Sequence, residues 1–230
     1  MTYSLKEARE QQSTYTPAEP IVGMLRYKVL VAVVGPSGVG KSTTMDEVSQ
    51  IDGDFGRTGS IVTREPHERD DLQLYRYVTL KTMLNSIHHH DLIQYIIHPT
   101  TGHIYATDLA MYSHTYNMLD ALPSSIQTLR QLSVKKLVTV YMVTEPSSWK
   151  EWFKSRYPTQ SSERKKRARE AVANLEWSIA QPQGSMYWLE NVPDQQTLTA
   201  AQLIDITKHS PITPDLTQTA AEMLAIARTL

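Results

Sequence analysis

The sequence has no cysteine, which excludes disulfides and thiolate chemistry. It has almost no net charge. Lys and Arg number 23 against 24 Asp and Glu, a formal −1, so no bulk field favours nucleic acid or an anionic membrane. It has no long apolar run, and nothing approaches the roughly 18–20 residues that span a bilayer. The opening stretch, MTYSLKEAREQQ, lacks the apolar centre of a secretion signal. A reducing cytoplasm is therefore the expected location, with neither membrane nor nucleic acid expected as a partner. What is present is a 230-residue chain that is 40% hydrophobic, enough for one cored domain with tails.

The chain is organised around Gly35-Pro36-Ser37-Gly38-Val39-Gly40-Lys41-Ser42-Thr43, which fits the G-x-x-x-x-G-K-[ST] phosphate-binding pattern. A β-branched run of strand length, Tyr27 to Val34, precedes it, and a helical pattern from Lys41 to about Gln50 follows. Strand, glycine turn and helix are the context this pattern requires. The glycines let backbone N–H groups approach a phosphate chain, and the helix N-terminus adds partial positive charge. Lys41 is expected on the β- and γ-phosphates of ATP, and the Ser42 hydroxyl on Mg²⁺. The bland alternative is a turn before an ordinary helix.

The wording GPSGVGKST resembles the guanylate kinase family, and further segments follow in that family's order. Ser60-Ile61-Val62-Thr63-Arg64-Glu65-Pro66-His67 is similar to a Ser-x-x-Thr-Arg-x-Pro-Arg segment. The resemblance implies that Ser60 touches the acceptor base and Arg64 clamps its phosphate. His67 replaces the second arginine, with Arg69 two residues on. Tyr75 in Leu74-Tyr75-Arg76-Tyr77 stands for a phosphate-binding tyrosine, or else for an edge strand of alternating aromatics. The run from Leu92 to Thr107 reads as a hairpin. It resembles one in which Tyr105 binds the monophosphate and Thr107 meets the base. Gln94 takes the place of a base-reading glutamate if the turn is two residues longer, and an ungapped match puts Ile96 there. Glutamine offers one acceptor and one donor, so it does not replace a carboxylate against the two neighbouring donors of guanine.

Asp108 to Leu119 reads as a helix, and Asp120 stands either for an acidic residue assisting base and metal or for a turn aspartate. No aspartate is seen after a long apolar strand, as a P-loop ATPase or nucleic-acid-processing enzyme would need. Lys136 to Thr144 is a clear strand, with Ser147 or Ser148 capping the helix after it. The basic stretch from Ser148 to Ser178 is either a solvated helix face or a lid, in which the resemblance implies that Arg156 and Arg167 cover the ATP phosphates. Asn191, after the strand pattern of Ser185 to Pro193, takes the place of an asparagine near the adenine. Thr213 is expected to cap a last amphipathic helix from Pro214 to Arg228. Three consecutive histidines, His88 to His90, point about 100° apart on a helix and do not chelate one ion well.

The expectation is an α/β, three-layer P-loop NTPase fold with a parallel sheet, a small nucleotide-binding hairpin subdomain and a helical lid. A polar tail (1–20) precedes the domain (21–207), whose monophosphate-binding part covers about 58–108 and whose lid covers about 150–172. A C-terminal helix fills 208–230. The resemblance implies a nucleoside monophosphate kinase using ATP and Mg²⁺, with GMP the first acceptor to consider, acting as a monomer or homodimer. The alternatives are a kinase for dTMP or a ribose bisphosphate, or a non-catalytic binding module.

Overall fold

The computed structural model describes residues 3–67, 71–98, 101–159 and 162–230. In chain order the elements begin with helices α1 (Leu5–Gln11) and α2 (Glu19–Leu25), strand β1 (Val29–Val34), helix α3 (Lys41–Ile51) and strands β2 (Phe55–Arg57), β3 (Ser60–Val62) and β4 (Tyr75–Tyr77). Helix α4 (Leu80–His88), strands β5 (Gln94–Ile97), β6 (Ile104–Thr107) and β7 (Tyr116–Asp120), helix α5 (Pro123–Gln131) and strand β8 (Lys136–Val143) come next. The chain closes with helices α6 (Pro146–Arg156) and α7 (Ser162–Ile179), strand β9 (Tyr187–Glu190) and helices α8 (Gln196–His209) and α9 (Thr217–Ala227).

A five-stranded parallel sheet has the order β2-β7-β1-β8-β9. Its central strand, VLVAVV, is buried at every position. A continuous apolar run is what a strand covered on both faces requires.

The helix expected over 108–119 is not formed. Leu109–Met111 makes a single 3₁₀ turn, and Tyr116–Asp120 is a strand between β2 and β1. The strand was obscured because its second residue is polar. Asn117 is buried, but its amide donates to the Val29 and His114 carbonyls at 3.3 and 2.9 Å, so the burial is compensated.

The contacts divide the chain into two compact units, each assembled from three segments: 1–30, 56–119 and 124–137 in one, 31–55, 120–123 and 138–230 in the other. The first holds a four-stranded sheet of order β4-β3-β6-β5, in which β3 and β4 are parallel and the other pairs antiparallel. One face of that sheet, through Ile61, Tyr95 and Ala106, packs on Met83 and Ile87 of α4 and on Ala8 and Tyr15. Residues 3–20, read from sequence as a polar tail, are thus folded onto this core. The Tyr15 hydroxyl donates to the Leu92 carbonyl, and the Tyr95 hydroxyl to the Ala8 carbonyl at 2.5 Å. Burial pushes both phenols up from their ordinary pKa.

In the second unit α3 packs on α8, and α9 packs on α7 and α6, burying Ala220, Met223, Leu224 and Ala227. Two expected caps differ from what is seen. Ser147 and Ser148 both donate to the Glu145 carboxylate, and Glu145 is the residue that precedes α6. The Thr213 hydroxyl accepts from the Trp188 amide, and α9 starts at Thr217.

Candidate active site

The loop from Gly35 to Gly40 leaves the end of β1 and enters α3, with Gly38 and Gly40 at φ +83° and +98°. Those left-handed angles suit glycine. At Gly40 the need is also steric. A Cβ there would lie 2.2 Å from the Asn191 amide nitrogen, which donates to the Val39 carbonyl at 2.9 Å. Asn191 is buried, and its own carbonyl accepts from Thr144 at 2.6 Å. It braces the loop from behind, where the sequence placed it beside adenine.

Lys41 Nζ donates to the Gly35 carbonyl at 2.7 Å and lies 3.6 Å from Asp120 Oδ1. Asp120, at the end of β7 beside β1, is thereby an aspartate at a sheet strand's terminus facing the loop lysine. The sequence left it as either an acidic residue assisting base and metal or a turn aspartate, and it stands at the end of a short strand. Ser42 is exposed in the first turn of α3. A hydroxyl and a carboxylate flanking the loop lysine form a donor set that suits Mg²⁺, which takes few protein oxygens and completes its shell with phosphate and water. Among the described residues there is no group of three or more His, Cys, Asp or Glu that would hold a metal by protein ligands alone.

Helix α6 supports the loop's tip. Trp149 Nε1 donates to the Ser37 carbonyl at 3.0 Å, and the Tyr157 and Ser37 hydroxyls share a 2.9 Å hydrogen bond. Neither side chain was given a role by sequence, because Ser37, the partner of both, lies more than 100 positions away. The expected lid comprises α6, Tyr157 to Thr159 and the start of α7, with 160 and 161 outside the described residues. Arg156 is exposed, its guanidinium 6.0 Å from the Tyr157 ring. Arg167 is held by Glu170 at 2.9 Å and Glu163 at 3.9 Å. Burial opposes its charge, but Glu170, Tyr157 and Glu163 outweigh that and raise its pKa.

The acceptor candidates lie on the small sheet. Tyr75 is level with Ser60, and Gln94 with Thr107. The β3–β6 register pairs Ile61 with Ala106 and Val62 with Tyr105, which sets Ser60 level with Thr107. Tyr75, Ser60, Thr107 and Gln94 therefore form one row across all four strands. Side chains alternate along a strand, so this row and the next, with Tyr77 and Tyr105, lie on the face opposite the Ile61–Tyr95–Ala106 core. Arg64 extends over the face, 5.0 Å from the Tyr75 ring and 5.7 Å from the Tyr77 ring. Ile96 pairs with Tyr105, so Gln94 is the residue level with Thr107. Thr107 shares a hydrogen bond with the buried Tyr112 hydroxyl at 2.9 Å. Tyr77 belongs to this face although sequence did not single it out, and the two-residue repeat from Tyr75 was the signal. His67 is exposed in the loop after Arg64, and Arg69 lies outside the described residues.

A glycine loop joining a parallel strand to a helix, with its lysine beside a strand-end aspartate, defines a P-loop fold. Comparison with known proteins narrows that class. The model of the guanylate kinase family matches residues 27–183, and the chain belongs to that family. A crystal structure of guanylate kinase from Anaplasma phagocytophilum is similar in fold, with a TM-score of 0.51 and 11% sequence identity, covering 82% of this chain and 88% of that one. No curated protein matches the sequence. Among the described residues no helix is long and apolar enough to cross a membrane.

Proposed function

We propose that this protein is a nucleoside monophosphate kinase that moves the γ-phosphoryl group of ATP to the phosphate of an acceptor nucleotide. The observation that carries the reading is Lys41, positioned by an intact glycine loop and facing Asp120 at 3.6 Å. The loop amides and the α3 N-terminus receive the ATP phosphates, and Lys41 exchanges its loop carbonyl contacts for phosphate oxygens. Ser42 and Asp120 are the residues that would hold Mg²⁺, whose charge would offset that of the ATP phosphates. Arg64, Tyr75 and Tyr105 hold the acceptor phosphate. Arginine suits this task because its planar fork binds two oxygens and stays charged. An acceptor phosphate oxygen forms the new bond to the γ-phosphorus as the bond to ADP breaks. Arg156 and Arg167 stabilise charge on the group in transit, Arg167 by releasing its glutamates. Asn191 keeps the loop in shape and thereby holds the ATP site.

GMP is the first acceptor to test, because the family model is that of guanylate kinase. The test is Mg-ATP-dependent ADP release with GMP, dGMP, AMP, UMP, dTMP and a ribose bisphosphate. Turnover with a nucleotide monophosphate, reduced at least about a hundredfold in Lys41→Ala, is expected. Turnover only with the ribose bisphosphate would move the reading to a sugar kinase. ATP binding without turnover on any acceptor would make the protein a binding module.

A further inference from the structure

The acceptor face is asymmetric in chemistry. Its β4 end carries Arg64 stacked over Tyr75 and Tyr77, a cationic and phenolic end suited to an anion. Its β5 end carries Gln94, which is 9% exposed and whose Oε1 has no hydrogen-bond partner among the described residues. Strands lie about 4.8 Å apart, so Tyr75 and Gln94, three strand steps from each other, are about 14 Å apart along the row. That is the scale of a nucleotide monophosphate lying from phosphate to base edge. A buried amide oxygen without a partner is costly in an apolar setting, and a ligand edge that supplies a donor removes the cost.

The kind of edge follows from the amide. A carboxylate in this place would accept two hydrogen bonds and so select a base that offers two adjacent donors. A primary amide offers one acceptor beside one donor, and a half-turn about its last torsion exchanges them. Every standard base presents one donor beside one acceptor: N1–H and O6 of guanine, N6–H and N1 of adenine, N3–H and O4 of uracil or thymine, N4–H and N3 of cytosine. The other polar group level with it, the Thr107 hydroxyl, already shares its hydrogen bond with Tyr112 and can likewise donate or accept.

We infer that Gln94 makes the acceptor site tolerant of the base, so that the protein phosphorylates several nucleoside monophosphates at comparable efficiency. The inference rests on the nucleotide kinase reading and names its substrate class. It also assigns Gln94 as the specificity-determining residue.

The experiment is kcat/KM for AMP, GMP, CMP and UMP at saturating Mg-ATP, in the wild type, Gln94→Glu and Gln94→Met. The wild type should use at least three of the four within about tenfold of one another. Gln94→Glu should raise the GMP/AMP ratio roughly ten- to a hundredfold, the worth of a charge-assisted hydrogen bond. Gln94→Met, of similar volume and without the amide, should lower all four by a similar factor and so guards against a glutamate variant that does not fold. A single base preferred more than a hundredfold by the wild type, or a GMP/AMP ratio unmoved in a folded Gln94→Glu, would overturn the inference while leaving the kinase reading intact. Absence of Lys41-dependent turnover with all four would overturn both.

Discussion

Gly40 and Asn191 are 151 positions apart in the chain and meet behind the phosphate loop. The glycine's lack of a side chain is what lets the Asn191 amide reach the Val39 carbonyl. Gly40→Ala should therefore fail twice, by a left-handed φ of +98° and by the collision with Asn191. Expected is a loss of ATP affinity of at least tenfold by equilibrium binding, on the order of the 1–3 kcal/mol held in a strained backbone conformation. A second residue-scale prediction concerns acid. Asp52 accepts from Lys208 Nζ at 2.6 Å and from the Asp54 amide, and these bonds hold its carboxyl below its ordinary 3.8. A depressed carboxyl contributes stability above its unfolded pKa and loses it as pH falls through the folded value. Asp52→Asn should melt roughly 1–2 °C lower at pH 7, and the difference should close as pH drops below about 4. At this scale the motif residues were the most legible, because a phosphate loop needs fixed residue types at fixed spacing. Asp120 was picked out as a candidate, but its place at a strand end was not legible, since that strand carries a buried asparagine. Tyr157 and Trp149 were not, because their partners lie more than 100 positions away and no local pattern reports such a pairing.

The elements themselves followed their patterns closely where a period was strong. The apolar run of β1, the helix after the loop and the strand β8 all fall within about two residues of expectation. The misreading of β7 came from a strand of only five residues with a mixed pattern, where tertiary contacts outweigh local preference. The N-terminal segment shows the reverse case. Its polar composition suggested a tail, yet Ala8 and Tyr15, with Tyr3 and Leu5 packed beside them, dock it on the small sheet's core. Tyr15 is 4% exposed, its hydroxyl bonds to the Leu92 carbonyl, and its ring stacks on His90 at 5.3 Å. Tyr15→Ala should cost about 3–5 kcal/mol, the range for deleting a buried aromatic ring, measured by urea unfolding. Helix α6 makes a different prediction. Tyr157→Phe removes one hydroxyl bond to Ser37 and leaves the ring packed on Phe153. Stability should change by no more than about 1 kcal/mol, whereas ATP affinity should fall several-fold as the loop's tip loosens.

At the level of the whole molecule, each compact unit is built from three separate stretches of chain. The family model, ending at residue 183, leaves α8 and α9 outside, and both are packed elements: α8 on α3, α9 on α7. A fragment of 138–230 therefore lacks α3, the support of α8. It should be largely unfolded by circular dichroism, whereas the full chain is helical. The acceptor row has a consequence for how this protein can change over generations. Its residues, 60, 75, 94 and 107, come from four strands, and strand alternation alone keeps them on one face. Inserting one residue inside any of these strands would turn that strand's functional side chains into the core and its core side chains outward. Insertions between His98 and His103, in the connection from β5 to β6, would leave the register untouched. Lineages descending from this chain should thus record length changes between the strands and only substitutions within them.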